Sequence, residues 1–370
     1  MDRRLFIKAG ALLPAAAAVS GLPGMVSANT VKTTAAGTWR TYEVTTQVDV
    51  LKPAGVTRVW LPVPLTVDTE YQKAQGNTWS AEGAKVHFAK DSKYGAGIVY
   101  AEWTDPAAKP TLKLVSRFAT REHAVDLGKA ANPRPEDRAK LALYTAPTEL
   151  LPTDGIVRQT AQEITRGAKN DMDKARAIYE WIVENTYRDP KTRGCGVGDI
   201  KSMLESKNLS GKCADLNALF VGLARAVGIP ARDVYGVRVA KSEYGYRSLG
   251  AGTPNITKAQ HCRAEFYSAA HGWVPVDPAD VRKVILEESP GGQLAVDHEL
   301  VKKARARLFG SWEMNWLAYN YAHDLSLPGT GRGKIGFFMY PNGENAQGWI
   351  DSLDPDNFKY SLTAREVKPA

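Results

Sequence analysis

The sequence has only three cysteines in 370 residues, Cys195, Cys213 and Cys262. So low and odd a count excludes a disulfide-stapled scaffold and leaves at least one free thiol. Beyond the first 28 residues no apolar run reaches membrane length, so a soluble mature chain without a membrane span is expected. Lys and Arg never form a block dense enough to mark a nucleic-acid partner, although the formal net charge is +8. Histidine is scarce, with six in the chain, and the spacing of Cys195, Cys213 and His261 matches no zinc pattern. A P-loop is missing too. In the run Gly329–Lys334, Pro328 stands where the first Gly is needed and Ile335 where Ser or Thr is needed. Asp351, Asp354 and Asp356 lack the EF-hand spacing and its glycine. No cofactor and no metal site is therefore expected.

What is present begins with Asp2-Arg3-Arg4-Leu5-Phe6-Ile7-Lys8, an Ala/Leu-rich run to Leu22 broken by Pro14, and Val26-Ser27-Ala28. A charged start, a short apolar stretch and a small-x-small ending read as a signal peptide over residues 1–28. The paired arginines resemble a twin-arginine export signal. That resemblance implies a bacterial protein that folds in the cytoplasm and meets the twin-arginine export machinery. A periplasmic or secreted protein is then expected, cleaved after Ala28. Removing residues 1–28 takes away three Lys/Arg and one Asp, which leaves a mature charge of +6.

From Trp39 the pattern alternates, with Tyr42, Val44, Thr46, Val48 and Val50 on one parity. Further β-rich segments at 56–63, 97–103 and 111–118 have turn residues between them and no helical period, which predicts a small antiparallel sandwich over 35–125. Pro133, Pro135, Pro147 and Pro152 mark a linker over 126–154. The pattern then turns helical. Asn170 or Asp171 can cap a helix whose stripe carries Ala175, Ile178, Trp181 and Ile182. A second helix opens at Cys213, carries Leu216, Leu219, Phe220, Leu223 and Val227, and stops at Gly228-Ile229-Pro230. Strands are expected at 233–239, 263–267 and 273–276. Helix first and strands after predicts an α+β core over 155–290. The remainder, 291–370, reads as a C-terminal appendage with a charged helical run at 298–309 and β-like segments at 335–340 and 358–364.

Cys213 follows Gly211 and Lys212 at a helix start, where exposed amide N–H groups and a nearby cation favour thiolate. His261 opens a strand whose alternation sets His261, Arg263 and Glu265 on one face, with Cys262 turned away into the core. A hairpin centred on residue 269 would put Asp277 opposite His261. A thiol nucleophile, an imidazole that moves protons and a carboxylate that fixes its tautomer make an acyl-transfer set. Cys195 and Cys262 remain available to pair in an oxidising compartment, a pairing that spacing cannot set.

Four runs occur in order: Gly-Lys-Cys-Ala-Asp-Leu-Asn-Ala-Leu-Phe from Gly211, Ala-Arg-Ala-Val-Gly-Ile-Pro-Ala-Arg ending at Arg232, His-Cys-Arg-Ala-Glu-Phe-Tyr from His261, and Gly-Trp-Val-Pro-Val-Asp-Pro-Ala-Asp from Gly272. Together they resemble the transglutaminase-like superfamily of papain-type cysteine enzymes. The resemblance implies a core in which the Cys213 helix packs on an antiparallel sheet, with an N-terminal β-sandwich before it. It also implies Cys213 as nucleophile, His261 as base and acid, Asp277 as orienting carboxylate and Arg232 as structural. The expected activity is thiol-dependent acyl transfer on a protein, peptide or cell-wall amide through a thioester. A non-catalytic binding module of the cell envelope is the alternative. One departure stands out. The stretch 193–200 has no tryptophan, the oxyanion donor of animal transglutaminases, so a second donor must come from elsewhere, such as the glycine-rich backbone there.

Overall fold

The computed structural model describes residues 37–368. The expected export signal and its cleavage point lie outside them. Among the described residues no helix is long and apolar enough to cross a membrane.

The alternation after Trp39 becomes the strand Arg40–Val50, in which every second residue from Tyr42 to Val50 is buried. Its neighbours are Thr111–Thr120 on one side and Phe358–Val367 on the other, and Gln72–Ser80 completes that sheet. A second antiparallel sheet runs Gly348–Ile350, Asn342–Asn345, Thr57–Pro62, Gly97–Trp103, Lys85–Lys90. Val48, Val59, Leu61, Val99, Trp103, Leu112, Leu114 and Phe358 fill the space between the sheets. Each such fully buried side chain contributes roughly 1.5–3 kcal/mol.

The expected appendage at 291–370 is not one. Phe358–Val367 pairs along the whole of Arg40–Val50, from Thr41↔Val367 to Val50↔Phe358, and Asn342–Asn345 pairs with Thr57–Pro62. Trp316–Asn320, from the same segment, is the edge strand of the core sheet. The reason is physical: a sandwich open at the Arg40–Val50 edge would expose a long row of unpaired N–H and C=O groups.

The core is α+β. Its antiparallel sheet runs Gly272–Val276, Gln260–Ser268, Ala231–Arg238, Trp316–Asn320. Against it packs the helix Cys213–Ala226, buried at every residue from Cys213 to Arg225. A helix this widely apolar belongs inside a domain, and its buried Asp215, Asn217 and Arg225 are each hydrogen-bonded. It stops where expected, with Gly228 at φ +86° and its N–H donating to the Arg225 carbonyl. The helix Asp171–Asn185 covers its other side, capped by Asn170 Oδ1, which accepts from the Asp173 N–H at 2.9 Å.

Candidate active site

The helix start that presents Cys213 is held by Asp215. One carboxylate oxygen accepts from the Val197 and Gly198 N–H groups, and the other from the Lys212 N–H, all at 2.9 Å. A Cβ at Gly196, which lies at φ +97°, or at Gly211 would collide with that carboxylate. Glycine at these two positions thus lets the loop 193–199 close over the helix start. The Ala214 N–H donates to the Cys195 carbonyl at 2.9 Å. Among the described residues the Cys213 N–H has no hydrogen-bond partner, as the first N–H groups of a helix have none within it.

Cys213 is 3% exposed and lines an open cavity of about 600 Å³ that His261, Gln260 and Cys195 also line. All three cysteines are free thiols. Cys195 and Cys262 are not bridged; the Cys195 thiol donates to the Gln260 carbonyl at 3.5 Å. Cys262 is fully buried and packs in the same hydrophobic cluster as Cys213. These two thiols, with the His261 ring, hold Cys213 well below the usual thiol range against the opposing effect of burial.

His261 Nε2 lies 2.7 Å from Asp277 Oδ2 and 3.4 Å from Asp280 Oδ1, so its other ring nitrogen is left for the thiol. Burial and Arg238 push the imidazole down, Asp280 and Asp277 push it up, and the net shift is upward. Burial and Asp280 raise Asp277 in turn. Asp280 goes the other way: Arg238, bonded to both of its oxygens at 2.6 and 2.9 Å, outweighs burial. Arg263 lies 3.7 Å from Asp277 Oδ2 and is pulled down to about 10, chiefly by burial. Two buried arginines thus face two buried aspartates, and the thiol and imidazole are left to balance each other.

The route by which Asp277 reaches His261 differs from the expected one. The hairpin pairs Ser268↔Gly272 through Ala264↔Val276, so it is centred on residue 270 rather than 269. Asp277 lies just past the strand end, where it caps the helix Pro278–Glu287 by accepting from the Asp280 N–H at 3.0 Å. A centre moved by one residue shifts each pairing by two. Side-chain direction survives that shift, and Asp277 meets His261 diagonally. Asn217, one helical turn beyond Cys213, donates to Asp277 Oδ1 at 3.2 Å and to the Cys262 carbonyl at 2.8 Å. Asp280, Arg238 and Asn217 were not singled out from sequence. The Cys213/Asn217 spacing of four, and the acid three residues past a capping Asp277, are the signals that point to two of them.

Part of the glycine-rich stretch is already engaged. Its Gly196 N–H bonds the Arg193 carbonyl, and the next two serve Asp215. Gln260 offers an alternative: among the described residues its buried side-chain Nε2 has no hydrogen-bond partner, and the residue lines the same cavity. A metal ion has little to bind. His261, Asp277 and Asp280 lie within 4.8 Å of one another, but Arg238, Asn217 and the ring itself already engage their donor atoms.

Residues 158–278 match the sequence profile of the transglutaminase-like superfamily. An uncharacterised protein of Haemophilus influenzae is 35% identical over 343 residues, 88% of this chain and 91% of its own. The chain belongs to the transglutaminase-like superfamily. Among solved structures, a candidate cysteine protease from Cytophaga hutchinsonii is similar in fold, at 16% identity and a TM-score of 0.50 over 89% of this chain and 99% of its own. The superfamily span holds Cys213, His261 and Asp277 and ends before Asp280.

Proposed function

We propose that this chain is a thiol-dependent acyl-transfer enzyme acting on an amide, with Cys213, His261 and Asp277 as its catalytic set. One observation carries the reading: a thiol held below its usual range lines the same open cavity as an imidazole whose far nitrogen is bonded to a buried carboxylate. The Cys213 thiolate attacks the amide carbonyl and forms the C–S bond. The free Cys213 N–H and the Gln260 side-chain amide stabilise the oxyanion. Imidazolium His261 protonates the amine as the C–N bond breaks, which leaves a thioester. Neutral His261 then takes a proton from water, hydroxide adds, and the C–S bond breaks to regenerate thiolate and imidazolium. An amine in place of water gives transamidation by the same steps. Asp277 keeps the ring in the tautomer that presents its nitrogen to the thiol. The paired arginines of residues 3 and 4 support a periplasmic or secreted location reached by twin-arginine export.

The test is intact mass after incubation with an amide library or cell-wall extract. An acyl adduct on Cys213, absent in Cys213→Ala, is expected. Undiminished amide turnover by Cys213→Ala would overturn the reading and leave the fold as a binding module.

A further inference from the structure

The cavity around Cys213 carries a marked charge imbalance. Arg188, Arg193, Lys212, Lys258, Lys283 and Lys359 line it together with the buried Arg238, and among the described residues no Asp or Glu does. Three carboxylates outside the lining pair with part of this set: Asp280 with Arg238, Asp351 with Arg193 at 2.6 Å, and Glu287 shared between Arg188 and Lys283. Seven cations and three partner carboxylates leave an excess of four positive charges. Lys212, Lys258 and Lys359 have no ion pair among the described residues. The second large cleft, lined by Arg232, Glu265 and Trp273, mixes both signs, so the imbalance belongs to the Cys213 cavity and not to basic composition alone.

The cations also come from separate elements. Lys212 immediately precedes the thiol, Lys283 stands on the helix Pro278–Glu287, Lys258 precedes the strand Gln260–Ser268, and Lys359 lies on Phe358–Val367. Their convergence from different walls suits a ligand with more than one anionic group. Tyr340, Leu353, Pro355, Phe358 and Tyr360 add apolar lining. The volume is that of a small-ligand cleft, about 300–1,000 Å³. A concave, partly apolar, cationic site fits a short chain better than a flat membrane surface.

Resting on the reading of Cys213 as nucleophile, we infer that the enzyme selects acidic peptides, in which carboxylates flank the amide to be cleaved. Lys212, Lys258, Lys283 and Lys359 supply the recognition, and the focused positive potential raises the local concentration of such a chain by about tenfold or more.

Two measurements test this on the full mature protein. The first compares alkylation of Cys213 by anionic iodoacetate and neutral iodoacetamide, which share one chemistry. Relative to free cysteine, the iodoacetate-to-iodoacetamide ratio should rise about tenfold, fall at high salt, and drop several-fold in the exposed double variant Lys258→Glu/Lys359→Glu. His261 is common to parent and variant, so the difference isolates the lysines. The second measures binding of a fluorescent Glu-rich peptide and its Gln counterpart to Cys213→Ala. At least tenfold preference for the Glu peptide is expected, lost in the lysine variant. Equal binding of the two peptides, or a ratio blind to the lysines, would overturn the inference. So would binding to phosphatidylglycerol vesicles that the lysine variant loses while peptide discrimination stays flat. Failure of Cys213 to alkylate with either reagent would instead sink the nucleophile reading, and the Cys213→Ala binding result would still decide the acidic-peptide one.

Discussion

Two buried His–Asp pairs each draw one member from a strand of the core sheet, His261 in one and Asp233 in the other, and only one pair adjoins a thiol. His261 Nε2 lies 2.7 Å from Asp277, and His323 Nε2 lies 2.9 Å from Asp233. Both rings are nearly inaccessible, at 4% and 2% exposure. Around His261 the second nitrogen side opens on Cys213 and a cavity. Around His323 the same Nε2 also meets the Tyr235 hydroxyl at 3.2 Å, and the residue is not part of the Cys213 cavity lining. Arg238 and Asp280 stand behind the first pair. Behind the second, Asp233 Oδ1 is buried without a partner. A hydrogen-bonded imidazole and carboxylate is thus a structural unit that a β-sheet can hold anywhere. Chemistry requires a nucleophile and access on the ring's other side.

The largest expected effect breaks this symmetry directly. His261→Ala should lower amide turnover by about 10³-fold or more, and Asp277→Asn by a comparable factor through the wrong tautomer. His323→Ala should leave turnover within a few-fold of the parent while lowering the thermal midpoint, through about 1–3 kcal/mol of lost buried hydrogen bonding. Equal loss of turnover at both histidines would mean that the two pairs are one functional network.

A second, smaller effect lies in pH. Cys213 is held below the usual thiol range, so its thiolate survives as pH falls under the free-thiol value. His261 is raised, so its imidazolium survives as pH rises past the usual histidine value. Between the two lies a window in which the ion pair dominates. Iodoacetamide labelling of Cys213 should stay fast near pH 6, where a free thiol has slowed more than a hundredfold from its plateau. Amide turnover should fall on the alkaline side as His261 loses the proton it must donate. A labelling profile with its midpoint at the free-thiol value would remove the ion pair from the comparison.

The smallest expected effect concerns Cys195, the first contributor to the lowered Cys213 value. Cys195→Ala should move the labelling midpoint upward by about one pH unit, with the fold intact. No movement would assign the lowering to Cys262 and His261.

How much of this was legible in the sequence follows from how local each signal is. Arg40–Val50 was readable because one face is buried and the parity shows it. Gln72–Ser80 and Lys85–Lys90 were not, since almost every residue in them is at least partly exposed and no alternation survives. Trp316–Asn320 hid for the opposite reason: buried at every position, it shows no alternation either. At the site, Cys213, His261 and Asp277 announced themselves by the words around them, and the geometry brings the three together. Arg238, Gln260 and the cavity lysines carry no local pattern. Their meeting depends on long-range strand order, which periodicity does not encode.

Strand order has one more consequence. Lys359 and Tyr360, on a strand that zips onto Arg40–Val50, form part of the wall around the Cys213 thiol. A ribosome therefore releases Cys213 well before it makes that wall, and a nascent chain carrying the thiol has no finished cleft around it. The timing of translation itself withholds the complete binding site until the two distant halves of the sandwich have found each other.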